Sequence, residues 1–374
     1  MIRFIHSSDL HLGKRFGQFS GDLPGRLREA RHAVLARLAA EAHATGAGTV
    51  LLAGDTFDTE TPAPQVRRQA LAEMAGHPTI GWVILPGNHD SLQAAPLWQT
   101  LAREAPDNVT LATEPEPIEI APGAFVLPAP CTTRRPGRDL TAWMDGAQTP
   151  EGTVRIGLAH GAVQSFSEEA NAAEIVAPDR ARRAGLDYLA LGDWHGPIAI
   201  DPRTAYSGSP EPDRFKHERP GEALLVEIAG PGATPKLTPF VTAGFSWRTL
   251  DLHLLPGEDA VETLRALLPS PGERRRSLVR VVASGTTGLA ARTALGTAID
   301  EAEPDFAHLE LHLDALSTEH EVDDLDRIDR AGALRDAAEA LLAEAGDGAI
   351  SAERRETARA ALARLYSYSQ GVRP

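Results

Sequence analysis

The run Trp82-Val83-Ile84-Leu85-Pro86-Gly87-Asn88-His89-Asp90 decides how the rest of the chain is read. Four apolar residues predict a short buried strand. Pro86 and Gly87 end it. An amide, an imidazole and a carboxylate then follow at its C-terminal end. The same grammar recurs on both sides. Ile2 to Ile5 predicts a strand that runs into Ser7-Ser8-Asp9-Leu10-His11, and Thr49 to Ala53 one that ends at Gly54-Asp55. Further on, the strand Val154 to Ala159 leads to His160-Gly161, and Tyr188 to Leu191 leads to Gly192-Asp193-Trp194-His195.

Helical patterns at Arg26 to Ala47 and Gln65 to Ala75 separate the first strands. Strands alternating with helices favour an α/β layered fold. From Val109 the strands shorten and turns separate them: Thr110-Leu111, Ile118 to Ile120, Ala124 to Leu127, and later Leu224 to Ile228. The expectation for residues 1–244 is two packed β-sheets flanked by helices. A small α+β domain is expected at 245–318, with strands at Arg248 to Leu254, Ser277 to Ala283 and His308 to Leu313. Its helices are expected at Asp259 to Leu267 and Leu289 to Ala302. The remainder, 319–374, predicts a helical C-terminal tail. Leu325, Ile328, Ala331, Leu334, Ala338, Leu341 and Leu342 fall at helical spacing, Gly346-Asp347-Gly348 breaks the pattern, and Ser351 suits an N-cap.

Strand C-termini in α/β proteins converge on one rim, where ligand sites form. The donors delivered there are Asp9, His11, Asp55, Asn88, His160, Asp193 and His195. Seven mixed nitrogen and oxygen donors exceed one tetrahedral ion. They suit two adjacent divalent ions of the Mn, Fe, Zn class sharing a carboxylate. Such a pair, about 3.5–4 Å apart, polarises a phosphoryl oxygen, acidifies water and orients an in-line attack. Asp-x-His and Gly-Asp are weak signals singly, and isolated histidines such as His43, His77 and His253 read as surface or half-buried residues. The information lies in the ordered set.

That set closely resembles the calcineurin-like metallophosphoesterase superfamily over about residues 1–240. Within it, Phe4-Ile-His-Ser-Ser-Asp-Leu-His-Leu-Gly13-Lys, Leu52-Ala-Gly-Asp-Thr-Phe-Asp58, Leu85-Pro-Gly-Asn-His-Asp90 and Tyr206-Ser-Gly-Ser-Pro210 resemble the SbcD/Mre-type DNA repair exonucleases. The resemblance implies a four-layer sandwich that hydrolyses phosphodiester bonds at DNA ends with two divalent metal ions. Mn is the first choice, and Mg, Fe or Zn are alternatives. It implies Asp9, His11 and His195 on the first ion, Asn88, His160 and Asp193 on the second, and Asp55 bridging both. His89 would serve the leaving oxygen rather than a metal. Asp90 would orient His89 or cap the following helix.

The resemblance also makes 245–318 a capping domain that guides DNA, and the tail a docking element for an SMC-like coiled-coil ATPase of the SbcC kind. A homodimer is left open. One position departs from the branch, which usually carries Gly-His-x-His where this chain has Gly192-Asp193-Trp194-His195. Aspartate is the harder ligand, so metal preference would shift while the site survives. The rivals are a phosphoesterase for nucleotides, cyclic nucleotides or phosphoproteins, which the same fold also hosts, and a non-enzymatic scaffold holding an ATPase.

Composition bounds these readings. The 374 residues predict two or three domains, and 42% hydrophobic content supports a sizeable core. Cys131 is the single cysteine, which excludes an internal disulfide and cysteine-rich zinc motifs. No secretory signal pattern and no apolar run of membrane-spanning length is present, so a cytoplasmic protein without a membrane partner is expected.

The formal net charge of -15 argues against a chain that wraps nucleic acid with a basic surface. Much of it is local, however. Residues 319–350 hold ten acidic residues and three arginines, a net of -7, and Asp9, Asp55 and Asp193 would be neutralised by metals. The expectation is weak DNA binding by the chain alone, helped by metals and arginine clusters. Of 37 basic residues 34 are arginine, clustered at Arg134-Arg135 with Arg138, at Arg180 with Arg182-Arg183, and at Arg274-Arg275-Arg276. Each cluster reads as a phosphate contact or a solvated face. Phe166, Trp194 and Trp247 are candidates for base stacking, with core packing as the alternative.

Overall fold

The computed structural model describes residues 1–163, 176–216, 219–319, 328 and 332–369. The chain divides into two compact units, Met1–Phe245 and Ser246–Pro374.

The first unit holds two six-stranded mixed sheets. One has the order β12-β11-β1-β2-β3-β4, built from β1 (Ile2–Ser7), β2 (Thr49–Leu52), β3 (Gly81–Ile84), β4 (Val109–Leu111), β11 (Glu222–Ile228) and β12 (Lys236–Val241). The other has the order β5-β6-β7-β8-β10-β9. Its strands are β5 (Ile118–Ala121), β6 (Ala124–Ala129), β7 (Val154–His160), β8 (Tyr188–Gly192), β9 (Ile198–Asp201) and β10 (Thr204–Tyr206). β1 through β4 are parallel to one another, as are β6, β7, β8 and β10. The antiparallel strands are β11 and β12 at one side of the first sheet, and β5 and β9 at the two edges of the second.

Alternation along each strand explains the layering. Phe4, Leu51 and Val83 face inward and share a core with Val126, Ile156, Leu158, Tyr188 and Ala190 of the second sheet. Their neighbours Ile5, Val50, Leu52, Trp82 and Ile84 face outward. There they pack against helices α1 (Leu23–Thr45), α2 (Pro64–Ala75) and α3 (Ala95–Glu104), through Leu35, Leu38, Leu71, Met74, Trp98 and Leu101. On the far side, Leu127, Leu189 and Leu191 pack against Met144 of the 3-10 helix Leu140–Asp145 and Ala181 of α4 (Arg180–Arg183). Strands buried on both faces read as continuous apolar runs, which is why β2 and β3 stand out in the sequence. Each fully buried side chain of this size contributes about 1.5–3 kcal/mol. Helix α1 ends at Gly46, which takes the left-handed conformation (φ 69°) and donates its N–H to Ala42 O.

The second unit has a three-stranded parallel sheet, β13 (Ser246–Leu254), β14 (Ser277–Gly288) and β15 (His308–Glu319). Helices α5 (Ala260–Leu267) and α7 (Leu289–Ala302) share its core through Leu264, Leu295 and Ile299, and α6 (Pro271–Arg274) leads into β14. β14 and β15 run several residues beyond the expected apolar stretches. The tail helices, α8 (Ala333–Gly346) and α9 (Ala352–Ser369), pack together. Their Ala338, Leu362 and Tyr366 form a cluster with Ile328 and with Leu289 at the start of α7. Ser351 Oγ accepts from Arg354 N at 3.2 Å, the N-cap bond expected of it. Of the predicted stripe, Ile328 and Ala338 are buried, Leu334 is exposed, and Leu325 and Ala331 lie outside the described residues.

Candidate metal centre

Because β1, β2 and β3 are parallel, as are β7 and β8, each sheet sends its C-terminal loops to one rim. The loops are joined to one another by backbone hydrogen bonds. Ala53 N donates to Ser7 O (2.8 Å), Asp9 N to Gly54 O (3.1 Å), His11 N to Asp55 O (2.9 Å) and Gly161 N to Gly192 O (3.1 Å). Arg31 of α1, fully buried, ties two further loops together by donating to Leu10 O and Glu211 O, with Asp213 at 3.7 Å.

Four of the seven expected ligand residues hold left-handed backbone conformations: Asp9 (φ 54°), His11 (43°), Asp55 (53°) and Asp193 (99°). Such conformations are uncommon outside glycine and concentrate at functional sites, where the surrounding bonds must maintain them. Gly54 (φ 91°) combines the same conformation with lack of space, since a Cβ there would lie 2.3 Å from His160 Nδ1.

The side chains meet in overlapping groups. Asp9, His11 and His195 offer ligand atoms within 4.8 Å of one another, and so do Asp9, Asp55 and His160. Asp55 Oδ2 is 3.9 Å from His11 Nε2 and 3.5 Å from His160 Nε2, so it lies between the two groups. Asp193 Oδ1 is 3.8 Å from the same His160 nitrogen. The Asp193 N–H donates to Asp9 Oδ2 (3.2 Å), which also accepts from Ser8 Oγ (2.5 Å). The imidazole of His11 stands with ring centroids 5.3 Å from His195 and 4.9 Å from His89. Asn88 has a buried Oδ1, and the backbone N–H of its neighbour His89 donates to Asp55 Oδ1 at 2.8 Å.

Two carboxylates have contacts that the sequence did not indicate. Asp90 is fully buried, and its oxygens accept from Gly87 N (2.7 Å) and Phe57 N (3.0 Å), so it holds the loop rather than the His89 ring. Asp58, given no role above, sits 3.5 Å from His11 Nδ1, and its carbonyl oxygen lies 3.0 Å from His89 Nδ1. Carboxylates and carbonyls behind a ligand imidazole fix its orientation and tautomer. The signal for Asp58 was present in the phrase Gly54-Asp-Thr-Phe-Asp58, one turn beyond a ligand residue.

The electrostatics of the cluster are ones that a divalent cation would relieve. Burial, with Asp55 nearby, pushes the Asp90 carboxyl up to about 7, and burial likewise pushes Asp9 up to about 7. Burial also raises Asp193. Burial would raise Asp55 too, but His160 beside it holds it well below the usual carboxylate range, and the His160 imidazole is raised in return. Oδ1 of Asp9, both ring nitrogens of His11, Oδ1 of Asn88 and Nε2 of His160 are buried without a hydrogen-bond partner among the described residues. His11 and His160 do have the carboxylates named above within ion-pairing reach. Buried polar atoms left unpaired are costly. A mixed nitrogen and oxygen donor set around a shared carboxylate fits divalent ions of the first transition row.

The arginine clusters separate clearly. Arg180 is buried against Asp139 and Asp145, whereas Arg183 and Arg182 are exposed and pair with Asp145 and Asp179. Arg274 pairs with Asp305 in the second unit. Arg134 and Arg135 are exposed and line a cavity of about 590 Å³ together with Asn88. Cys131 is buried, with its thiol pushed up to about 12 by burial, and is inert at neutral pH.

Two packed sheets presenting metal donors at one rim define a metallophosphoesterase. A family profile described as calcineurin-like phosphoesterase matches residues 2–221, and this chain belongs to that family. It is a metal-dependent hydrolase. Among curated proteins it is similar to the SbcD component of the nuclease SbcCD from Rhodobacter capsulatus, at 28% identity over 287 residues, covering 64% of this chain and 69% of that one. This likeness is consistent with the SbcD/Mre-type branch. A solved crystal structure is similar over 64% of this chain and 98% of its own, with 11% identity and a TM-score of 0.38. Among the described residues, no helix is long and apolar enough to cross a membrane.

Proposed function

We propose that this chain is a Mn²⁺-dependent phosphodiesterase acting on DNA ends, a repair exonuclease of the SbcD type. The observation that carries this reading is the convergence of five strand ends on one donor cluster centred on Asp55. Similarity to a nuclease component supports the choice of substrate. Asp9, His11 and His195 would hold one ion, Asn88, His160 and Asp193 the other, and Asp55 both. When bound, the two ions neutralise phosphoryl charge and acidify water for in-line attack.

The chain's own groups do the rest. His89 Nδ1 faces Asp58 O, so a proton there is held and Nε2 is the nitrogen presented for exchange. With Nδ1–H held in this way, His89 can donate from Nε2 to the leaving oxygen as general acid only in its doubly protonated form, a role worth about 10²–10⁴ in rate. Asp90 acts on His89 through the loop backbone it holds. Arg134 and Arg135 are suited to the phosphate chain beside Asn88, because the guanidinium fork matches phosphate oxygens. The second unit contributes to DNA handling, and its tail, with Leu334 and Tyr368 exposed, engages a coiled-coil ATPase of the SbcC kind. The test is digestion with Mn²⁺ of end-labelled duplex DNA, mononucleotides and cyclic nucleotides in parallel. Preferential trimming of duplex ends supports the reading. Turnover confined to the small substrates replaces it with a small-molecule phosphoesterase.

A further inference from the structure

Of the three aromatic residues that the sequence offers for base stacking, Trp247 is buried in the second unit at 6% exposure and Phe166 lies outside the described residues. Trp194 is different. It is 43% exposed and forms part of the wall of a cavity of about 430 Å³, whose lining also includes Asp193 and His195 of the donor cluster. We infer that this cavity seats the terminal nucleoside of the phosphodiester, with the Trp194 indole as its stacking face. The inference rests on the nucleic-acid reading above and adds a specificity residue to it.

The cavity has the chemistry of a nucleotide unit. Pro197, Ile198 and Pro212 supply apolar wall, and Lys216 supplies positive charge, with Arg219 beside it paired to Glu222 at 3.5 Å. A flat aromatic face, apolar sides and cations recognise a base attached to a phosphate. The volume lies within the range of small-ligand pockets. A phosphorylated protein side chain or inorganic phosphate makes no use of an indole. Position supports the same conclusion. Trp194 sits between Asp193 and His195 in sequence, and consecutive Cα atoms are about 3.8 Å apart, so the stacking face is held next to the donors. Gly196 makes room for it, since a Cβ there would come within 3.2 Å of the indole nitrogen. The arginine cavity that includes Asn88 has a separate lining. The scissile phosphate would thus have a base subsite on the His195 side and a phosphate-chain subsite on the Asn88 side.

The test uses the full-length protein and an oligodeoxynucleotide with 2-aminopurine as its terminal base, with Ca²⁺ in place of Mn²⁺ so that the metal sites are filled and binding is read without cleavage. The wild type should quench 2-aminopurine on binding. Trp194→Ala should lose the quenching and bind roughly ten- to a hundredfold more weakly, the loss expected for one stacked base, while Trp194→Phe should recover most of both. The Trp194→Ala penalty should vanish when the terminal nucleotide is abasic. Lys216→Ala, an exposed change, should weaken binding severalfold and keep the quenching, which guards against a misfolded Trp194 variant. Equal quenching in wild type and Trp194→Ala, or an equal penalty on the abasic end, overturns the assignment. Should wild type with Mn²⁺ leave DNA uncut, the nuclease reading fails separately. Quenching of free 2-aminopurine deoxynucleoside monophosphate then judges the pocket, and no Trp194-dependent quenching overturns it.

Discussion

His160 Nδ1 stands 2.8 Å from the carbonyl oxygen of Ala53, a hydrogen bond that crosses from the end of β7 in one sheet to the end of β2 in the other. It fixes the tautomer and turns Nε2 toward Asp55. The sheets are therefore joined at the point where the donor cluster forms, and the join leaves no room for a further methyl group. A Cβ on Gly192 would lie 2.0 Å from Ala53 O and 2.8 Å from His160 Nδ1.

Gly192→Ala should therefore part the two sheets at the rim. A cost of about 1–3 kcal/mol is typical of overpacking, together with loss of most bound metal. Thermal denaturation and metal analysis of the purified protein measure the two effects. An unchanged melting temperature with two ions retained would show that the rim is plastic.

Asp55 and His89 should separate binding from turnover. Asp55→Ala removes the carboxylate that lies near both imidazoles, and should lose both ions. His89→Ala should keep them and lose about 10²–10⁴ in turnover. Metal content and phosphodiester hydrolysis, measured side by side, check this, and full activity in His89→Ala would remove it from the mechanism.

Metal uptake should depend steeply on pH. With Asp9 pushed up to about 7 and the His160 imidazole raised, both hold protons near neutrality that a divalent ion must displace. Affinity should rise between pH 6 and 8, with proton release visible by calorimetry in buffers of different ionisation enthalpy. The same groups make the stability of the metal-free protein depend on pH. Asp9 binds its proton more tightly folded than unfolded, so stability falls as pH rises from about 4 toward 7. His160 contributes stability that is complete below its unfolded value of 6.5 and is lost as pH rises through its higher folded value. The melting-temperature gap between metal-loaded and metal-free protein should therefore widen from pH 6 to 8. A constant gap would contradict these protonation states.

Leu362 of α9 is buried with Leu289, the first residue of α7. Leu362→Ala should destabilise the second unit by about 2–5 kcal/mol and leave hydrolysis of a small phosphodiester intact. Denaturant unfolding of the full chain, with activity followed in parallel, distinguishes this from a tail that serves only a partner. In that case stability would not change.

The chemistry was readable because it follows a local rule. Apolar runs followed by Gly-Asp or Gly-Asn-His predict strands that end in donors, and parallel strands bring such ends together. Elements whose sequences break a local rule were not readable. β12 contains Pro239, tolerated because the strand lies at the sheet edge and pairs only with β11. α3 begins at Ala95-Pro96, where proline suits the first helical turn; it is only ten residues long, and its Leu97, Trp98 and Leu101 are buried against the first sheet.

By itself, then, the sequence determined the α/β layering and the order of the strand ends, and it nominated the donors, since these follow from periodicity and turn chemistry. Only the tertiary structure decided what each charged or aromatic side chain does. Asp90 holds the backbone at Gly87 and Phe57, Asp58 supports His11 and His89, and Arg180 is internal while Arg134 is exposed. Trp194 opens onto a cavity while Trp247 is buried. Those outcomes depend on loop backbones held in left-handed conformations and, Gly87 apart, on partners more than thirty residues away in sequence, which no local pattern records.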